Sequence, residues 1–422
     1  MLTGGMYCGA ESAVGHPAEF MISYPGFDSP KYDKSGNLID AGNEYNLIKY
    51  LEKHNRMVPY YQFDRKPFQV DDSVDSVILK DGVAVNHPDY SNIDLIVAVP
   101  VCSGLSSATY GITEQAKKAR NANMMFLARY TLNTIKPKVY IFENAPRLMA
   151  DSAASVRAEI EQIAKNAGYS VAYYKTDTKL HDNCQKRPRT FIYFFRVDGD
   201  RKGVPKLGFE NKNITVEELM SRIPKDATQQ ESLPLHPICN EMFKYYRSKY
   251  GNNWRDNLSA NCMIDELLND HELMKWKEFV MSDPNVDDKT KESIRKYADH
   301  IKDKVDQGKG FYVFAPVYLR DHSLPAAMFK TIPVVMHHSE DRLYTIREWL
   351  TTMGMPFDFE MYGDIQKYYP KIGQNVPART AQFIVSEAVK IIENWDTVER
   401  SNEQEVIYYN NIKQTVERLS VM

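Results

Sequence analysis

The chain has 422 residues, of which 43% are hydrophobic and 26% charged, and its formal net charge is −3. This composition predicts a soluble globular protein with a large core, in one large domain or two of ordinary size. It excludes a globally basic nucleic-acid wrapper, so any phosphate contact must come from local clusters of Lys and Arg. Cys8, Cys102, Cys184, Cys239 and Cys262 are odd in number, widely spaced and without a CxxC or Cys/His cluster. That pattern argues against a disulfide framework and against a metal site, and it predicts a reducing, cytoplasmic setting. The opening stretch has neither the basic nor the apolar region of a leader. No run approaches the roughly 18 apolar residues of a membrane span, so no membrane association is expected.

In chain order, "LTGGMYCGAES" comes first, with Gly5 and Gly9 as candidate turn residues. "EFMISY" (19–24), "DLIVAVP" (94–100), "KVYIFENA" (138–145), "SVAYYKT" (170–176) and "TFIYFFRV" (190–197) are rich in β-branched and aromatic residues and predict strands. Residues 113–135 and 152–168 have helical periodicity, and Gly168 closes the second as a C-cap. Alternation of apolar strands with helices predicts an α/β, Rossmann-like doubly wound sheet with parallel strands. From 199 the texture becomes turn-rich, and polar helical pieces follow to about 322. The division expected is a first part at 1–198, an inserted smaller domain at 199–322, and a return at 323–422. The run "MFKYYRSKY" (242–250) suits either base stacking with phosphate contact or a helix with one face in the core.

Three groups flank successive strands: Pro100 with Cys102, Glu143 with Asn144, and Arg187 with Arg189. Cys102 and Glu143 are 41 residues apart, and Glu143 and Gln185 are 42 apart. Each interval allows one helix and a return to the same edge, where ligands of open α/β sheets collect. A thiol, a carboxyl and guanidinium groups together suit attack on an electron-poor aromatic ring. The thiolate adds to carbon, the carboxyl bonds a ring nitrogen, and arginine fixes a carbonyl oxygen. A cationic neighbour would also favour the thiolate.

These segments resemble those of the cytosine-C5 DNA methyltransferase family, in order and nearly end to end. "VPVCSGLSSATYG" is similar to the Pro-Cys nucleophile loop, and "IKPKVYIFENAPRL" to the strand ending in Glu-Asn-Val. "HDNCQKRPRTFIYFFR" is similar to the Gln-x-Arg-x-Arg segment. "RLYTIREWLTTMGMPFDF" resembles the stretch after the recognition domain, and "YPKIGQNVPARTAQFI" the closing Gly-Asn-x-Val-Pro motif.

The resemblance implies transfer of methyl from S-adenosylmethionine to C5 of a flipped-out cytosine, with the insertion reading double-stranded DNA and the enzyme acting as a monomer. It implies that Cys102 adds to C6 and that Glu143 contacts N3 and the exocyclic amine. Arg189 would hold the base carbonyl and Glu143, with Arg187 in support, while Pro100 and Asn144 shape the loop. The cofactor residues it implies are Thr3, Gly5, Gly9, Asp28, Asp64, Asn375 and Val376. Here the pattern departs from the family's. Thr3 replaces an aromatic residue and Tyr7 a glycine, and the ribose-binding acid has two candidates, Asp28 and, after an insertion, Glu44. A tRNA or nucleotide cytosine methyltransferase, and a catalytically silent nucleic-acid binder with altered cofactor use, are the alternatives.

Overall fold

The computed structural model describes residues 4–26, 29–42, 44–65, 77–79, 83–85, 87–100, 105, 114–208, 211–258, 263–269, 271–308, 337 and 339–419. Cys102, Thr3 and Asp28 lie outside them. Helix α1 (Gly5–Val14) leads to β1 (Met21–Ser23). A small hairpin of β2 (Lys31–Tyr32) and β3 (Leu38–Asp40) precedes α2 (Tyr45–Lys53). Strands β4 (Tyr60–Phe63), β5 (Val77–Leu79) and β6 (Ala84–Val85) complete a four-stranded sheet in the order β1-β4-β5-β6.

The main sheet is built from β7 (Leu95–Ala98), β8 (Val139–Asn144), β9 (Tyr169–Asp177), β11 (Pro188–Arg196) and a C-terminal hairpin, β13 (Val406–Asn410) with β14 (Thr415–Leu419). Short β10 (His181–Asn183) and β12 (Lys212–Asn213) pair separately. The six strands run in the order β14-β13-β9-β11-β8-β7. Helices α3 (Glu114–Tyr130) and α4 (Ala154–Ala167) lie between β7 and β9 in the chain, and α4 stops at Gly168, whose φ of 78° suits a left-handed cap.

The α/β class is as expected, but the all-parallel sheet is not. Strand β11 runs antiparallel to both β8 and β9. The cause is connection length: β9 ends at Asp177 and β11 starts at Pro188, with only one short 3-10 turn (Thr178–Leu180) and β10 between them, whereas a parallel return needs a crossover of a dozen or more residues. Apolar residues face both sides of this sheet. Tyr140, Phe142, Ile192 and Phe194 pack toward α3 and α4. On the other side, Ile141, Phe191, Tyr193 and Phe195 pack against α12 (Ala378–Glu393).

Five helices follow between residues 216 and 306: α5 (Val216–Ser221), α6 (Pro237–Tyr250), α7 (Met263–Asn269), α8 (Leu273–Ser282) and α9 (Asp288–Asp306). A separate core forms around Met242, Tyr246, Trp254, Trp276, Ile294 and Ile301. Val204 and Leu207 pack with the main sheet, and Val216 and Leu219 with α2 and α10 (Ile346–Thr352), so the helical core begins well after residue 199. The aromatic run in α6 goes to this core: Tyr245 and Tyr246 are buried, while Lys244 and Arg247 pair with Glu241 and Asp341. Helix α11 (Ile365–Gln374) then leads into α12.

Candidate active site

Two residues of the predicted constellation meet directly. Arg189 Nε lies 2.7 Å from Glu143 Oε1, with the side chains 19% and 6% exposed. The strand register explains the contact. Phe191 pairs with Glu143, and side chains two apart on one strand share a face, so Arg189 is the diagonal neighbour of Glu143. Because β11 runs backwards, its first residues sit where β8 ends. An Arg opening one strand therefore reaches a Glu closing another. A second Arg189 nitrogen donates to the carbonyl of Pro188 at 2.7 Å, which restrains the guanidinium.

Asn144 faces the opposite side of the sheet from Glu143. It is fully buried, its Nδ2 lies 3.1 Å from Met124 Sδ, and its Oδ1 accepts the Ala145 amide at 2.8 Å. It thus holds the turn after β8. Pro100 is buried just beyond β7.

Arg187 reaches the closing motif. It is 2% exposed and donates from Nη2 to the Asn375 carbonyl at 2.8 Å. Asn375 is buried too, and its Oδ1 accepts the Gly5 amide at 2.9 Å. These bonds knot the closing motif onto both α1 and the start of β11.

Gly5 and Gly9 are not turn residues, which corrects the sequence expectation. Both lie within α1, and the turn is made by Gly4, at φ 87°. Their lack of a side chain serves close packing of α1 on α12. A Cβ on Gly5 would lie 1.9 Å from the Val376 carbonyl oxygen, and one on Gly9 would lie 2.3 Å from that of Ala378. Val376 is buried against this junction.

Asp64 is exposed, immediately after β4. Glu44 sits just before α2, 3% exposed, and accepts from Ser23 Oγ at 2.8 Å and Tyr60 OH at 2.6 Å. Strands β1 and β4 are parallel, with Ser23 beside Gln62, so Glu44 and Asp64 stand at the same carboxyl edge. The hairpin of residues 31–40 separates Glu44 in sequence from the strand it serves. The signal that identifies it is its place directly ahead of the amphipathic run "YNLIKYLEK".

The family model for C-5 cytosine-specific DNA methylases matches residues 48–390. The chain belongs to this family. Among its relatives, the type II methyltransferase M1.HphI of Haemophilus parahaemolyticus is 23% identical over 323 residues, covering 76% of this chain and 74% of that protein. The putative type II methyltransferase M.MJ0563P of Methanocaldococcus jannaschii is 25% identical over 252 residues, 60% of each chain. A solved structure of a putative DNA modification methyltransferase encoded within an E. coli prophage aligns over 93% of this chain and 97% of its own, with 15% identity and a TM-score of 0.46.

The chain is thus a DNA cytosine-5 methyltransferase with S-adenosylmethionine as methyl donor. The pair of acceptors at the edge of β1 and β4 fits that cofactor. Ribose hydroxyls and an adenine amine are hydrogen-bond donors, and Glu44 and Asp64 are acceptors. Within this methyltransferase, the segment from Arg342 to Phe359 has structural work. Thr345 and Glu348 form a capping box at α10, and Arg342 grips Glu348 through two bonds of 2.7 Å. Arg347, with no exposed surface, donates to the carbonyls of Thr228, Pro356 and Phe359.

Proposed function

We propose that this methyltransferase works on a cytosine flipped out of double-stranded DNA, as a monomer, through a transient bond from Cys102 to C6. The observation that carries the reading is the Glu143–Arg189 pair, held at the end of β8, next to the strand that leads to Cys102. The Cys102 thiolate adds to C6 and the C5=C6 π pair moves into the ring. Glu143 donates a carboxyl proton to N3, which takes up the displaced pair, and accepts a hydrogen bond from the exocyclic amine. Arg189 orients Glu143 and turns its remaining N–H groups to the base carbonyl. The adduct makes C5 nucleophilic. S-adenosylmethionine, when bound, supplies the electrophilic methyl carbon such a centre needs. A water molecule takes the C5 proton, the C5–H pair re-forms C5=C6, and the C6–S pair leaves on sulfur as the Cys102 thiolate, which restores the aromatic ring.

Glu44 and Asp64 would hold the cofactor's ribose and adenine. Gly5, Gly9, Asn375 and Val376 would fix α1 beside it, with Thr3 and Asp28 as further candidates. Arg187 is a positioning residue that ties the closing motif to β11. The helical insertion would provide the surface that reads the duplex. The names of the type II relatives place such an enzyme in a restriction-modification setting. Extruding a base costs a few kcal/mol, offset by contacts in the pocket.

The test is adduct formation on duplex DNA containing 5-fluorocytosine, which cannot lose its C5 substituent. A covalent complex that is retained in denaturing gels, and is lost in Cys102→Ser, is expected. An adduct on tRNA alone, or an adduct that persists in Cys102→Ser, would reject the proposal.

A further inference from the structure

The link between β9 and β11, residues 178–187, carries Arg187 and opens almost directly onto Arg189. Two side chains close it at its base. Asp177, the last residue of β9 and 3% exposed, accepts from the Arg187 amide at 2.9 Å and from the Lys179 amide at 3.3 Å, both on Oδ1. Thr178 is fully buried and donates from Oγ1 to the Gln185 carbonyl. Its own amide donates to the Arg187 carbonyl at 3.3 Å.

In a regular antiparallel pair, opposite residues exchange both N–H···O bonds. Thr178 gives its amide to Arg187, but its carbonyl is taken by the His181 amide at the close of the 3-10 turn. The Arg187 amide therefore goes to the Asp177 carboxylate in place of a backbone carbonyl. From there the path to Arg189 is stiff. The ring of Pro188 fixes its φ, the Pro188 carbonyl accepts the Arg189 guanidinium at 2.7 Å, and Arg189 meets Glu143. The link is held at a cost. Gln185 has no exposed surface, and neither end of its side-chain amide has a hydrogen bond among the described residues. Asp182 takes the left-handed region at φ 52°. A segment carrying such costs relaxes when a tie is cut, so the tie acts on geometry as well as on stability.

We infer that Asp177 is a positioning residue for methyl transfer. Its carboxylate fixes the Arg187 amide and, through Pro188, the aim of Arg189 at Glu143. The inference rests on the catalytic reading of the Glu143–Arg189 pair. Because Oδ1 serves as an acceptor of backbone amides, a carboxamide oxygen replaces it and a methyl group does not.

The test is single-turnover transfer of labelled methyl to duplex DNA by the full chain. Asp177→Ala should lose about tenfold or more in rate, with half-saturation by DNA within about threefold of the parent, because Arg189 acts on developing charge. Asp177→Asn should stay within about threefold of the parent in both. In an Arg189→Ala background, Asp177→Ala should cost less than about a further twofold, since the group it aims is gone. Ser170, near the opposite end of β9, gives the control: its hydroxyl accepts the Glu405 amide at 2.9 Å. Ser170→Ala should lower the urea midpoint and leave the rate within about twofold of the parent. If Asp177→Ala does not fold, Thr178→Val opens the same link from its other side and is read by the same criteria. A parent-like rate in Asp177→Ala, an equal loss in Asp177→Asn, or an undiminished loss in the Arg189→Ala background would overturn the inference. A parent-like rate in Arg189→Ala would instead reject the catalytic reading, and the inference with it.

Discussion

Removing the guanidinium of Arg189 tests the site most directly. Glu143 is 6% exposed, and Arg189 Nε is its ion-pair partner at 2.7 Å. Arg189→Ala leaves that carboxylate buried without its charge partner. Breaking a buried pair this way costs about 3–5 kcal/mol, and the 19% exposure of Arg189 points to the lower end, about 3 kcal/mol. Glu143→Gln removes the charge instead, so the double variant Glu143→Gln/Arg189→Ala escapes most of the penalty. The two losses should therefore fail to add by about 1.5–3 kcal/mol, the range for residues in contact. Urea denaturation of the four proteins at pH 7.5 gives the stability cycle. Single-turnover methyl transfer to duplex DNA, on the same samples below their unfolding midpoints, gives the activity cycle. Each single variant should lose about 10²-fold or more in rate, as expected for a group that acts only on developing charge. A coupling below about 0.5 kcal/mol, the limit of ordinary additivity, together with a rate within twofold of the parent in Arg189→Ala, would refute the reasoning.

Asn375→Ala leaves the buried Gly5 amide without its acceptor and should cost about 1–3 kcal/mol in urea denaturation, with an unchanged midpoint counting against the proposed knot. Burial pushes the Cys8 and Cys184 thiols up to about 12, leaving about a thousandfold less thiolate than an ordinary cysteine. Iodoacetamide at pH 8 should therefore modify Cys102 at least tenfold faster than either, read by peptide mass spectrometry. His181 is buried, stacked 4.4 Å from Phe383, and burial pushes its pKa down to about 3 from an ordinary 6.5. Between those values the unfolded chain binds a proton that the native one does not, so stability falls as pH drops below about 6.5. At pH 5 the loss from this group alone should be about 2 kcal/mol, and His181→Gln should flatten the slope between pH 6.5 and 5. Burial would raise the Glu348 carboxyl, but hydrogen bonds from Arg342 and His337 outweigh it and hold the pKa at about 2, so its contribution is lost only as pH falls below 4.5.

Much of this was legible in the order of residues alone. Apolar strands alternating with periodic helices determined the α/β class, Gly168 marked the end of α4, and the spaced motifs named the chemistry. Those features are local, because periodicity and capping depend on neighbours along the chain. Tertiary structure decided who meets whom. Arg189 reaches Glu143 because β11 runs antiparallel, which follows from its short link to β9. Arg187 goes instead to Asn375, and the aromatic residues of 242–250 pack inward. Gly5 and Gly9 look like turn glycines in sequence, yet the structure uses their missing side chains to bring two helices together. The hairpin at 31–40 displaced Glu44 in sequence without moving it from the edge of β1. Among the described residues, β7 has an interior strand's composition and is the last strand of its sheet. A pattern of side chains reports which faces are covered, but strand direction and close approach are set by contacts between segments far apart in the chain.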